Sequence, residues 1–245
     1  MRKEKEMSDT VMVTGTGRSY ALGYNIALRY LEAGDTVIAT IRKPSPDIDA
    51  LKEKYGDKLI VVTMDLTDTA SVNAAAAEVS GKVDHIDILI NNAVGVAPDV
   101  DKGFFDADLD NIPPVLDLIS VGALRVVRAF YPLLSACPEN SLVINISSEA
   151  GSIEKCYRTT GMDYGMGKAA LNMATMYMFN TFKDERKVNI FAVHPGWIRT
   201  NGKEDNPAPL SSYEAAGILK DLFAKRKNDF TGHRFITNEG EDYPF

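Results

Sequence analysis

Short β-branched apolar runs alternate with helical patterns almost from end to end of these 245 residues, and this alternation constrains the fold more than any other feature. Val11–Val13, Thr36–Ile41, Leu59–Met64, Ile86–Ile90, Leu142–Ile146 and Val188–Val193 read as strands, with His233–Ile236 a candidate last strand. Helices are expected over Leu22–Ala33, Asp47–Tyr55 and Ser71–Val79, within Pro114–Ala136, and over Met162–Asp184 and Ser212–Arg226. Short apolar strands separated by helices require a parallel sheet covered on both faces. Right-handed crossovers then make the sheet doubly wound. The expectation is an α/β protein with three layers, α/β/α, and one domain over residues 10–245. A chain that is 45% hydrophobic can fill both faces of such a sheet.

The ends and the bulk chemistry narrow the function. Met1–Asp9 is charged and lacks an apolar core, so it reads as a low-order start and not as a signal peptide. No uninterrupted apolar stretch approaches membrane-spanning length. The net charge is −7 with no long basic run, which argues against nucleic acid and anionic membrane as partners. Cys137 and Cys156 form no CxxC pair, so no disulfide framework is expected and the cytosol fits. His85, His194 and His233 show no metal-ligand spacing, so no metal is expected. Asn201–Leu210 is rich in Pro, Asn and charge and lies past a strand end; residues 201–212 are expected to form a substrate lid. Ser211-Ser212-Tyr213-Glu214 fits a capping box that restarts a helix.

The turn after the first strand is glycine-rich: Thr14-Gly15-Thr16-Gly17-Arg18-Ser19-Tyr20-Ala21-Leu22-Gly23. Glycines let backbone amides approach a phosphate, and the helix N-terminus favours its negative charge. Such a turn in a strand-turn-helix unit suits a dinucleotide, as in a Rossmann fold. An acidic residue at the end of the second strand would accept hydrogen bonds from the adenosine ribose of NAD. Arg42 and Lys43 stand there instead and suit a 2′-phosphate, with Arg18 reaching from the glycine loop. NADP is therefore preferred to NAD; the alternative is that these cations are solvated surface residues. Asp65 either accepts from the adenine amino group or caps the helix that begins near Thr67.

Tyr164 and Lys168 are four residues apart and share one helix face, sixteen and twenty residues after Ser148. A free phenol titrates near 10, too high for easy acid–base work at neutral pH. A neighbouring ammonium stabilises the phenolate, so Lys168 is expected to lower the Tyr164 value. Tyr157 lacks a Lys four residues on and reads as a pocket or loop residue. Glu149 and Asp163 flank the pair and read as solvated or helix-capping, in preference to selecting a polar or cationic substrate.

In this order the motifs resemble the short-chain dehydrogenase/reductase family over essentially the full length. The glycine loop resembles that family's Thr-Gly turn. Asn91-Asn92-Ala93 is similar to its Asn-Asn-Ala-Gly, Ser148 with Tyr164 and Lys168 to its Ser and Tyr-x-x-x-Lys, and His194-Pro195-Gly196-Trp197-Ile198-Arg199-Thr200 to its Pro-Gly segment. The phrasing around Lys168-Ala169-Ala170-Leu171 and Gly232-His233-Arg234-Phe235 is closest to the branch of C-factor-like proteins and carbonyl reductases.

The resemblance implies hydride transfer between NADP(H) and a small carbonyl or alcohol substrate. It implies Tyr164 as proton donor, Lys168 on the nicotinamide ribose, and Ser148 on the substrate oxygen. It also implies a cofactor site built from Gly15, Gly17, Arg18, Ser19, Leu22, Gly23, Arg42, Lys43, Asp65, Leu66, Asn92, Ala93, Pro195, Gly196, Ile198 and Thr200. A homo-oligomer through the two long helices is a further expectation.

Four departures stand out. The glycine loop is two residues longer than the common form, as in enoyl-acyl-carrier-protein reductases, but Gly161 occupies the tyrosine position of those enzymes, seven before Lys168. Val94 replaces a Gly, and Val96–Asn111 is long and acidic. Ile119 stands where the family has the Asn of a proton relay, with Ser120 the nearest substitute. The competing readings are an enoyl-thioester reductase and a cofactor-binding regulatory or scaffold protein with little catalysis.

Overall fold

In the computed structural model, residues 8–200, 202 and 205–245 are described. Among them the central sheet has seven parallel strands in the order β3-β2-β1-β4-β5-β6-β9. These are β1 (Thr10–Thr14), β2 (Thr36–Ile41), β3 (Leu59–Thr63), β4 (Ile88–Asn91), β5 (Ser141–Ile146), β6 (Val188–His194) and β9 (Phe235–Thr237). Two short strands, β7 (Ile198–Arg199) and β8 (Leu210–Ser211), pair separately. The helices are α1 (Leu22–Ala33), α2 (Pro46–Tyr55), α3 (Thr69–Ser80), α4 (Ile112–Leu116), α5 (Gly122–Ser135), α6 (Met162–Phe182) and α7 (Ser212–Arg226). This is the expected doubly wound, single-domain Rossmann-type architecture.

The strand periodicity of two sorts side chains to the two faces. Val11, Val13, Ile88, Ile90, Leu142, Ile144, Phe191 and Val193 join α1 and α7 in one core cluster. Met12, Leu89, Val143 and Ile190, the residues between them, join α3, α5 and α6 in the other. A one-residue slip would exchange the two sets, so the pairing Val13 with Ala39 and with Ile90 is fixed by both cores at once. The order reverses between β1 and β4. In such sheets the crevice at the carboxyl ends of the strands at this switch point is where ligands bind.

Helix ends follow local chemistry. Ser45 caps α2 through its side chain, with Pro46 in the first turn and Lys52 and Lys54 in the last. The capping box of α7 forms as expected: Ser211 Oγ accepts from Glu214 N at 3.2 Å, and Glu214 Oε2 accepts from Ser211 N at 2.9 Å. Asp65 does not cap α3; Asp68 does, three residues nearer the helix, and the Asp65 carboxylate is turned to the Thr67 amide and hydroxyl.

The expected Pro114–Ala136 helix is two segments, α4 and α5, joined by a π-turn over Asp117–Val121. Leu109–Ser135 is long and apolar enough to cross a membrane by length and hydropathy, which no single apolar run in the sequence suggested. Its Val126, Val127, Phe130 and Leu134 are buried in the core of this domain.

Met1–Met7 lie outside the described residues, as do positions 201, 203 and 204 of the expected lid. Asp9 is tied in: its amide donates to Asp35 at 3.1 Å and its carboxylate pairs with Lys227 at 3.4 Å. The end of the lid span is regular structure, β8 and the first turn of α7.

Candidate active site

At the switch point the chain builds a cradle from backbone. Gly15 has φ +75, and a Cβ on it would lie 2.7 Å from Ala93 Cα. A Cβ on Gly23 would overlap Asn92 Nδ2 and sit 2.7 Å from Gly15 O. Both glycines are therefore needed where β1, α1 and the end of β4 meet. Asn92 stitches the joint, donating to Thr14 O at 2.9 Å and Gly15 O at 3.2 Å. Thr14 Oγ1 accepts the Asn92 and Ala93 amides at 2.9 and 3.1 Å. Gly17 is unlike them: a Cβ there meets nothing closer than Ile41 Cγ2 at 3.7 Å.

The N-terminus of α1 carries no side-chain cap and no acidic residue in its first turn. Its free amides and dipole suit a phosphate. Beside it lies an open cleft of about 640 Å³, bordered by Ser19, Tyr20, Arg199 and Tyr213. Among the described residues, the side chains of Arg18, Arg42 and Lys43 make no hydrogen bond or ion pair. All three are exposed. This donor set fits a dinucleotide with an additional phosphate. The Ser19 amide donates to Asp47 at 2.7 Å, and its exposed side chain borders the cleft.

Leu22 and Leu66 are buried, Leu22 in the core and Leu66 against Gly122. Asp65 is held below the usual carboxylate range by its bonds from Thr67 and the Arg42 charge. Pro195 and Ile198 are buried, Gly196 turns with φ +87 against Asn238, and Thr200 is exposed.

Ser148, Tyr164 and Lys168 converge past the ends of β5 and β6. Gly151 and Gly167 let α6 dock closely: a Cβ on Gly151 would lie 2.8 Å from the Lys168 carbonyl carbon, and one on Gly167 2.9 Å from Ile119 Cδ1. Ser148 lies beside the Tyr164 phenol and favours its charged form, and Lys168 Nζ stands 5.5 Å from the centre of the tyrosine ring. Lys168 is buried and donates to Ile146 O at 2.6 Å.

The expected acidification of Tyr164 does not occur. Burial pushes the phenol up and the Glu149 charge adds to it, outweighing the opposing effects of Ser148 and Arg158. Burial also penalises the Lys168 ammonium, moving it down to about 7. Spacing put the two side chains together, but the depth at which α6 docks decides the sign.

Glu149 and Asp163 were expected to be solvated or to cap helices; Glu149 is half-buried and tied to other side chains, and Asp163 is buried. Asp163 is buried and accepts the Ala97 amide at 2.6 Å, anchoring the long acidic segment. Glu149 Oε2 accepts the Ser148 hydroxyl at 2.5 Å, while Oε1 takes both Nε and Nη2 of Arg158. Its own amide donates to His194 Nδ1 at 3.3 Å. Burial raises the Glu149 carboxyl, but the bonds from Ser148 and Arg158 together hold it below its ordinary value. Tyr157 is exposed. Only the adjacency of Glu149 to Ser148 could have flagged it in the sequence.

Ile119 is buried against Gly167, and Ser120 donates back to Leu116 O at 2.7 Å inside its own helix, so Ser120 does not take the place of the missing Asn. Far from this site, ligand atoms of His85, Asp87 and Cys137 lie within 4.8 Å of one another, a cluster the sequence spacing did not suggest. Lys227 pairs with the same Asp87 at 3.3 Å and already balances its charge.

The comparisons agree with this geometry. The family pattern described as short chain dehydrogenase matches residues 9–210. Short-chain dehydrogenase RED3 of Pyricularia oryzae is 27% identical over 97% of this chain and 99% of its own. The NADPH-bound carbonyl reductase from chicken fatty liver superposes with a TM-score of 0.86 at 27% identity, covering 97% of this chain and 99% of its own. A short-chain dehydrogenase/reductase from Burkholderia multivorans with bound NADP gives 0.84 at 27% identity, covering 98% and 100%. This chain belongs to the short-chain dehydrogenase family, close to its carbonyl-reductase branch, and is an oxidoreductase.

Proposed function

We propose that the protein is an NADP(H)-dependent reductase of a small carbonyl compound. The observation that carries this reading is geometric: Tyr164 and Lys168 lie on one face of α6, with Lys168 Nζ 5.5 Å from the centre of the tyrosine ring, and converge with Ser148 past the ends of β5 and β6, where burial raises the proton affinity of the phenol. A phenol that retains its proton is a proton donor, which is what carbonyl reduction needs. Bound NADPH supplies a hydride. Gly15, Gly23 and the N-terminus of α1 cradle the pyrophosphate, and Gly17, Arg18 and Ser19 complete the loop. Arg42 and Lys43 hold the 2′-phosphate, and Asp65 and Leu66 border the adenine. Asn92 and Ala93 line the ribose, and Pro195, Gly196, Ile198 and Thr200 hold the carboxamide end. Lys168 takes the ribose hydroxyls. Tyr164 passes its proton to the substrate oxygen while Ser148 fixes the direction of that oxygen. General acid catalysis of this kind contributes about 10²–10⁴-fold. Both NADP-bound neighbours support the choice of cofactor.

Exposed Leu124, Met166, Met173 and Tyr177 on α5 and α6 suit a second copy of the chain. Both cysteines are free, in keeping with the cytosol.

The test is NADPH oxidation against a panel of ketones, aldehydes and enoyl thioesters, with deuterium on the transferred position of the cofactor. Deuterium on the carbonyl carbon of an alcohol product is expected. Reduction of enoyl thioesters alone would contradict it, and NADPH binding with no turnover on any member would assign a non-catalytic role.

A further inference from the structure

The proton that Tyr164 gives up must be replaced from solvent. On the lysine side, one N–H of Lys168 Nζ is held by the Ile146 carbonyl at 2.6 Å, an acceptor that passes no proton on, and the family's asparagine is absent. Ile119 packs an apolar side chain against that stretch of α6. On the serine side a polar chain leads outward. The Tyr164 phenol lies beside Ser148, Ser148 Oγ accepts the Ala150 amide at 3.2 Å, and the Ser148 hydroxyl donates to Glu149 Oε2 at 2.5 Å. The Glu149 side chain is 22% exposed, enough for water to reach the carboxylate.

We propose that Glu149 is a positioning residue that aligns the Ser148 hydroxyl and feeds protons through it to Tyr164. The inference rests on the carbonyl-reductase reading. After Tyr164 has given its proton to the substrate oxygen, the Ser148 O–H bond breaks toward the phenolate oxygen. In the same movement a proton on Glu149 Oε2, taken from water, passes to Ser148 Oγ. One proton leaves solvent and one phenol is restored; no charge remains on serine or glutamate beyond that present at the start. In alcohol oxidation the chain runs backward.

The surroundings suit this role. Arg158 grips Oε1 and leaves Oε2 to serine. His194 turns Nδ1 toward the Glu149 amide and lies 3.9 Å from Oε2, and burial keeps its imidazole neutral. Tyr243, its ring tilted at 49° to that of His194 with centres 5.6 Å apart, closes the far side. Thus the carboxylate has one cationic partner, and that partner is on the other oxygen.

The test is Glu149→Gln, whose amide keeps the shape but has no proton to pass on. NADPH oxidation and proton uptake are followed together, the second with a pH indicator in weak buffer. In the wild type the two signals coincide. In Glu149→Gln one equivalent of NADPH per site is oxidised rapidly, proton uptake lags behind it, and the steady rate falls about 100-fold. Glu149→Asp restores part of the rate and the synchrony. Arg158→Ala separates anchoring from proton supply: uptake stays in step with oxidation whatever its rate. Synchronous uptake and an unchanged steady rate in Glu149→Gln would overturn the relay, as would an Arg158→Ala variant with the same lag. A wild type that reduces no carbonyl with NADPH removes the carbonyl-reductase reading itself, a distinct failure.

Discussion

Lys168 Nζ donates to the carbonyl oxygen of Ile146 at 2.6 Å, and both residues are shielded from water. A buried amine of this kind sheds its proton easily: burial brings Lys168 from an ordinary 10.5 down to about 7. Between those values the unfolded chain holds a proton that the folded chain has lost. The contribution to stability therefore rises with pH across that window, by up to ~1.4 kcal/mol per unit, and is lost as pH falls toward 7. Lys168→Met removes the titration. Its stability relative to the wild type is greatest below pH 7 and declines as pH rises. Urea unfolding at about pH 6 and about pH 10 measures the change; a constant difference would contradict the burial argument.

Gly23 and Gly17 predict opposite outcomes within one loop. A Cβ on Gly23 overlaps Asn92 Nδ2, so Gly23→Ala displaces the side chain that ties Thr14 and Gly15 to the end of β4. We expect a loss of about 1–3 kcal/mol, typical of overpacking, together with weakened NADPH binding. Gly17→Ala, whose Cβ meets Ile41 Cγ2 at an ordinary contact distance of 3.7 Å, changes stability by less than about 0.5 kcal/mol. Denaturation curves and cofactor titrations of both variants decide the matter.

Arg42 and Lys43 make no hydrogen bond or ion pair among the described residues, the Arg42 charge acting on Asp65 at longer range, and stand just past β2, where an acidic residue would favour NAD. Replacing both by Ala should weaken NADPH about 10- to 100-fold, the loss of roughly one or two charge-assisted contacts, and leave NADH nearly unchanged. Fluorescence titration with the two nucleotides gives the ratio. An equal loss for both would mean that the cations are solvated and do not read a phosphate.

The fold was legible because its signals are periodic. Val11, Met12 and Val13 alternate between two cores, and every strand pairing follows from that alternation. The cap of α7 was legible because Ser211 and Glu214 are three apart and interact locally. The chemistry at Tyr164 was legible in position and not in sign. Its spacing to Lys168 is a helix property, but its proton affinity depends on how deeply Gly151 and Gly167 let α6 settle. Glu149 escaped because its role depends on a side-chain torsion that turns it to the Ser148 hydroxyl and not to water. The π-turn at Asp117–Val121 escaped because an apolar helical pattern continues unbroken through it.

The central claim is that the Tyr164 phenol is the proton donor. The direct measurement is the steady-state rate of NADPH-linked carbonyl reduction by Tyr164→Phe, paired with its NADPH dissociation constant. The account predicts a rate lower by about 10²-fold or more with nucleotide affinity within a few-fold of the wild type. Turnover at the wild-type rate would contradict it.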